Sequence, residues 1–196
     1  MKLVLFDFDG TITQKDTLFE FFRFTHGKDR FIGGLILNVH ILFLAWLRLY
    51  PRSMAKQKLL NYFYKGWTRE DLFDAGKLYF HKVIHFITYE DAMKQLKAYL
   101  DDEARIIVVS ASLDVWVKPF CDYYDIECIG TRLQYNAGIY EGSFATPNCN
   151  GKEKVKRIKE MVDISQYEPV IAYGNSSGDK AMLALADEKH YKAFKK

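Results

Sequence analysis

Residues 2–11, KLVLFDFDGT, decide the reading of this chain. Leu3 to Phe6 form an unbroken apolar run, the pattern of a short strand buried on both faces, and Gly10 ends it. Asp7 and Asp9 stand two apart at the end of that strand. Side chains alternate with period 2, so both carboxylates can face one side. Ligands of parallel α/β sheets bind at the carboxyl ends of the strands. Two like charges this close require either a shared proton, with one pKa raised, or a hard cation such as Mg²⁺. The residues alone leave both readings open. Gly10 permits a tight turn there, and Thr11 adds a hydroxyl and an amide. An Asp-x-Asp-Gly turn by itself is equally compatible with a capped loop, so the rest of the chain must decide.

Outward from this stretch, residues 105–110 (RIIVVS) and 169–173 (PVIAY) repeat the buried-strand pattern, and 126–129 is a further strand candidate. Helical patterns follow residue 110 and cover 151–161 and 177–186. Residues 133–144 carry Asn136-Ala137-Gly138 between tyrosine-rich arms, which predicts a hairpin. Strands alternating with helices predict an α/β core, a three-layer α/β/α sandwich around a parallel sheet, Rossmann-like in plan. No strand pattern appears between residues 16 and 99. Helices are expected there, with a break at Pro51, a helix start at Thr68 with Glu70 and Asp71 in its first turn, and a helix over 89–100. The core is therefore assigned to residues 1–14 and 89–196, with 15–88 inserted as a helical cap.

Composition limits the function classes. The chain has 196 residues, 49% of them hydrophobic, with 15 Phe and 13 Tyr, enough for a sizeable core. Its net charge of +3 is spread along the chain, which gives nucleic-acid binding no support. Lys192, Lys195 and Lys196 read as a solvated terminus. Cys121, Cys128 and Cys149 form no CxxC pair and are odd in number, which suits a reducing, cytoplasmic setting. The acids at 7 and 9 and the short apolar run do not fit a signal peptide.

The other strand ends supply what a phosphate site needs. Ser110 closes its strand beside a helix start, where a hydroxyl suits a phosphate oxygen. Asn175 and Asp179 follow residues 169–173 on a glycine-flanked loop and offer two oxygen ligands for a metal. Lys152, opening a helix after Asn150-Gly151, is the candidate fixed positive charge. In order along the chain, Asp7-Phe8-Asp9-Gly10-Thr11, Ser110, Lys152 and the segment from Gly174 to Asp179 resemble the four motifs of the haloacid-dehalogenase superfamily of hydrolases. The helical insertion after the first motif, Ser110-Ala111-Ser112, and the hairpin before Lys152 are similar to its subfamily IB, the phosphoserine-phosphatase-like branch. That resemblance implies a Mg²⁺-dependent phosphatase acting on a small-molecule phosphate monoester. Asp7 would be the nucleophile that becomes an aspartyl phosphate, and Asp9 the general acid and base. Thr11, Ser110, Ala111 and Lys152 would hold the phosphoryl group. Asp7, Asp9 (through its main-chain carbonyl), Asn175 and Asp179 would surround Mg²⁺. Where many relatives carry an aspartate, this chain has Asn175, and weaker metal binding is expected.

The cap is expected to select the substrate. Asp16, nine residues after Asp7, stands roughly where phosphoserine phosphatases carry an acid that meets the substrate amine; it is also placed to cap a helix starting near Thr17. His81 and His85 have the spacing of a two-histidine site but no third ligand, and read as structural. Phe19, Phe21, Phe22 and Phe24 read as core. Residues 31–49, FIGGLILNVHILFLAWLRL, approach the length of a membrane span only by counting the glycine pair and Arg48. A true span would also put two halves of one domain on opposite sides of a bilayer. The segment is read instead as a cap helix packed on its neighbours, or as one lying on a membrane surface. Arg48, Arg52, Lys56 and Lys58 follow it, so residues 31–58 are the candidate peripheral contact with the inner face of a membrane. Phosphatidylglycerophosphatase-like members of the branch carry similar apolar caps, which makes a lipid head-group phosphate the alternative substrate. A non-catalytic phosphate-binding protein is the remaining alternative, with Asn175 its only support.

Overall fold

The computed structural model describes residues 1–194. Lys195 and Lys196, part of the basic terminus read from the sequence, lie outside them. Five parallel strands form the central sheet in the order β3-β2-β1-β6-β7: β1 (Leu3–Phe6), β2 (Arg105–Leu113), β3 (Glu127–Thr131), β6 (Val170–Gly174) and β7 (Glu188–Tyr191). β1 lies at the centre, with Leu3 opposite both Arg105 and Val170. The period-2 rule divides the strands between two cores. Val4, Phe6, Ile106 and Val108 face α5 (Glu90–Asp101) and α6 (Asp114–Tyr123). Leu3, Leu5, Ile107 and Val109 face α7 (Lys152–Met161) and α8 (Lys180–Leu183). The sandwich has the three layers the alternation predicts.

Between β1 and α5 the chain is helical: α1 (Thr17–Leu37), α2 (Val39–Trp46), α3 (Arg52–Tyr64) and α4 (Arg69–Lys82), followed by a 3₁₀ turn at Ile84–Phe86. Gly27, at φ 76°, breaks the helical geometry within α1. Thr68 caps α4 with a reciprocal box to Asp71. These helices have no separate core. Phe21 of α1 lies against Trp116 of α6 with ring centroids 4.6 Å apart, inside the same apolar cluster as β1. Phe21 and Phe22 are buried there, as expected of core residues. The predicted hairpin is β4 (Leu133–Asn136) and β5 (Ile139–Phe144). Ala137 (φ 47°) and Gly138 (φ 82°) turn it with two positive φ values, the geometry that matches strand twist. It leans on the inserted helices through Tyr140 N–H to the Trp67 carbonyl and Gly66 N–H to the Tyr140 carbonyl.

Three elements differ from the sequence reading. The helix expected over 177–186 is a 3₁₀ turn at Ser177–Asp179 followed by the short α8. The edge strand β7, Glu-Lys-His-Tyr, has no buried residue and so carried no apolar signal. β2 runs on past Ser110 to Leu113, with a shift in its register to β3 between Val109 and Leu113. That irregularity falls on the segment that lines the site, where bulges commonly re-aim side chains.

Candidate active site

A cavity of about 550 Å³ opens over the carboxyl ends of β1, β2 and β6, with Asp7, Asp9, Ala111, Ser112, Lys154 and Asn175 among its walls. Lys56 and Asp16, from the inserted helices, close its other side.

Asp7 is 6% exposed. Its Oδ1 accepts from Lys154 Nζ at 2.6 Å and its Oδ2 from Thr11 Oγ1 at 3.2 Å. Burial pushes this carboxyl up to about 6; Asp179 and Asp9 push the same way, and Lys154 opposes them. Lys154 is buried and also donates to Asp179 Oδ1 and to the Val109 carbonyl, both at 2.7 Å. Burial alone would lower its pKa, but the Asp7 and Asp179 carboxylates overcome this and hold it above its usual value. Asp179 is likewise penalised by burial, yet Lys154 and the Ser176 hydroxyl and amide keep it below the usual range.

The lysine differs from the one singled out in the sequence. Lys152 is exposed at the first position of α7, whereas Lys154 is turned inward. Two residues on a helix are some 200° apart, so only one of this pair can face the sheet. A signal was present: Ile158, four residues on and fully buried, shares a face with Lys154.

Asp9 is held by side chains that the sequence reading passed over. Its Oδ1 accepts from the Thr17 amide at 2.7 Å and the Thr17 hydroxyl at 2.6 Å. Its Oδ2 accepts from Ser112 Oγ at 2.6 Å and, weakly, from Ser110 Oγ at 3.4 Å. Trp116 Nε1 donates in turn to Thr17 Oγ1 at 2.9 Å. Ser110 itself has no exposure; its Oγ accepts the Ser112 amide at 2.9 Å, and Ser112 rather than Ser110 lines the cavity. The Ala111 carbonyl is taken by Lys56 Nζ at 2.5 Å and Thr131 Oγ1 at 2.7 Å. Thr11 lies buried behind Asp7.

Asn175 lies across the Gly10 turn. Gly10 has φ +73°, and a Cβ there would come within 1.9 Å of Asn175 Nδ2, so both the backbone and the neighbour require glycine. Asp179 Oδ2 accepts from the amides of Asn175 (3.1 Å) and Ser176 (2.9 Å) and from Ser176 Oγ (2.8 Å). With Lys154 on the other oxygen, the Asp179 carboxylate is engaged on both sides and orients the loop.

Among the described residues no group of three or more His, Cys, Asp or Glu is arranged to hold a metal. His81 and His85 are exposed and lie on separate elements. Asp7, Asp9 and Asn175 nevertheless line one cavity, and the Asp7 carboxylate, the Asp9 main-chain carbonyl and the Asn175 amide would offer hard oxygens. Such a set suits Mg²⁺, which commonly takes one or two carboxylates and completes its shell with water and substrate phosphate.

Asp16 caps α1, as one of its two readings expected. Its Oδ1 accepts from Leu18 N–H at 2.9 Å as the cap of α1, and it lines the cavity. Burial, then the charge of Asp9, raises its pKa. Opposite it, burial lowers Lys56 to about 8 against the pull of Asp9 and Asp16. Lys56 also donates to Asn148 Oδ1 at 3.1 Å.

A buried acid bonded to a buried lysine, with a second acid two residues on, thus lies at the strand ends of a parallel sheet. Residues 4–184 match the profile of the haloacid dehalogenase-like hydrolases, and the chain belongs to that family. It is 32% identical over 195 residues to Protein CicA of Caulobacter vibrioides, covering 98% of this chain and 86% of that one. Its fold is similar to that of a protein of unknown function from Bordetella pertussis Tohama I, with a TM-score of 0.80 at 17% identity, covering 94% and 86% of the two chains. A substrate-bound phosphoserine phosphatase gives a TM-score of 0.69 at 19% identity, with 97% and 85% covered. At those identities the structural likeness concerns the fold.

Proposed function

We propose that this protein hydrolyses phosphate monoesters through an aspartyl phosphate on Asp7, with Mg²⁺ as cofactor. The observation that carries this reading is the Asp7–Lys154 contact at the cavity floor, with the carboxyl of Asp9 fixed beside it by Thr17 and Ser112.

Mg²⁺, held by Asp7, the Asp9 carbonyl and Asn175, would neutralise phosphoryl charge and align the ester. An Asp7 oxygen attacks phosphorus as the ester P–O bond breaks. Asp9, as the acid, gives its proton to the leaving oxygen. Asp9 then takes a proton from water, whose oxygen attacks the phosphoryl group and frees inorganic phosphate, returning Asp7 as carboxylate. Lys154 keeps Asp7 in place throughout and offsets charge on the transferring group. Thr17 and Ser112 hold the Asp9 carboxyl against rotation, so the proton is delivered at a set position.

The far wall favours a leaving group with polar substituents. Asp16 suits an amine or hydroxyl, and Lys56 an anion, a pairing that fits a phosphoserine-like compound. Phosphate release from phosphoserine, sugar phosphates, nucleotides and a lipid head-group phosphate, with Mg²⁺ and with EDTA, tests the reading. Metal-dependent release that disappears in Asp7→Asn supports it. Release unaffected by EDTA or by that substitution rejects it.

A further inference from the structure

The inserted helices leave a large apolar face without a partner. In α2, Val-His-Ile-Leu-Phe-Leu-Ala-Trp, only Ala45 is buried. A helix apolar on every side normally has its whole surface covered. Here Trp46 is 71% exposed, Phe43 55% and Leu49 73%, and Ile36 at the end of α1 is 65% exposed. Phe43 and Trp46 stack on one another at 6.0 Å, so the exposed rings form one patch. Contiguous apolar patches of this kind mark interaction surfaces.

Charge identifies the occupant. Residues 30–69 contain Lys and Arg but no Asp or Glu, and Arg30, Arg48, Lys58 and Lys65 are all exposed. Exposed apolar side chains on a stretch of chain that carries exposed basic residues and no acid match the interface of an anionic bilayer. No single helix is long and apolar enough to cross a membrane; α1 and α2 reach that length only as a pair, and they meet at a bend of 64°, which suits a helix lying along the surface. The patch leads directly to the cavity. Leu49 precedes the start of α3 by three residues, and Arg52 and Ser53 of α3 line the cavity rim.

We propose that the α2 face docks on the surface of an anionic membrane. The docking does not rest on the phosphatase reading. The experiment is co-sedimentation at low salt with vesicles of phosphatidylcholine alone or of phosphatidylcholine mixed with phosphatidylglycerol, using the wild type, Asp7→Asn and the triple variant Phe43→Ser, Trp46→Ser, Leu49→Ser. The three replaced side chains are more than half exposed, so the variant keeps its fold, which circular dichroism checks.

Wild type and Asp7→Asn should both pellet with the mixed vesicles, at least about tenfold more than the triple variant, and should be released by salt. The triple variant should retain wild-type turnover of a soluble aryl phosphate. Folded wild type left in the supernatant overturns the docking. So does equal binding to both vesicle types, or self-association without vesicles that the triple substitution abolishes, which would make a second copy the occupant. Docking without turnover of any phosphate ester would leave the surface standing and remove the catalytic reading.

Discussion

Lys154 Nζ lies 2.6 Å from Asp7 Oδ1, with the lysine 1% and the aspartate 6% exposed. A buried ammonium bonded to Asp7, Asp179 and the Val109 carbonyl ties β1, β2, α7 and the loop after β6 to one point. This contact locates the site and is also a vulnerable part of the fold.

Lys154→Met would leave two buried carboxylates without their cation. Breaking a buried ion pair from one side costs about 3–5 kcal/mol, and that loss is expected in urea unfolding together with loss of turnover. Lys152→Met, at an exposed position, should behave as wild type in both measurements.

Lys56 gives the site a pH limit. Burial lowers its pKa to about 8, so it carries charge below that pH and loses it above. At low substrate concentration kcat/KM should fall on the alkaline side of pH 8. Lys56→Arg should move this limb to higher pH, because guanidinium stays charged. Lys56→Met should remove the limb and raise KM throughout. An unchanged alkaline limb in both variants would separate Lys56 from substrate binding.

The Asp9 clamp should act on rate more than on affinity. Ser112→Ala removes the 2.6 Å bond to Oδ2, and Thr17→Val removes the hydroxyl bond to Oδ1 while stranding Trp116 Nε1. Loss of kcat by about tenfold or more, with KM near wild type, is expected from steady-state kinetics, since positioning of an acid–base group is what suffers.

Asn175 and Gly10 should be coupled. Asn175→Asp restores a negative charge and should lower the Mg²⁺ concentration needed for half-maximal activity. Asn175→Ala should raise it about tenfold or more. Gly10→Ala places a methyl at φ +73° and against the Asn175 amide, so it should show the same metal defect together with lower stability.

Much of this was legible in the sequence because buried parallel strands advertise themselves. Residues 3–6, 106–109 and 170–173 are unbroken apolar runs, and the site lies just beyond their ends. What escaped were relationships that no local pattern encodes. Thr17 and Ser112 reach Asp9, and Trp116 reaches Thr17, only after α1, α6 and two strands have packed together. Lys154 was passed over because Lys152 sits at the helix start, the customary place for an anion-binding group, although the register with Ile158 pointed two residues further. β7 was missed because a solvent-facing edge strand needs no apolar side chains. Asp16 has the helix-cap position that the sequence offered and also lies in the cavity wall; its contact with substrate remains a proposal.

The most direct test of the catalytic account is to quench the protein during turnover, reduce any acyl phosphate with borohydride, and map the modified peptide by mass spectrometry. The account predicts modification at Asp7 alone, absent from Asp7→Asn and from protein treated without substrate. Turnover with no trapped adduct at any time point, or an adduct on another residue, would contradict it.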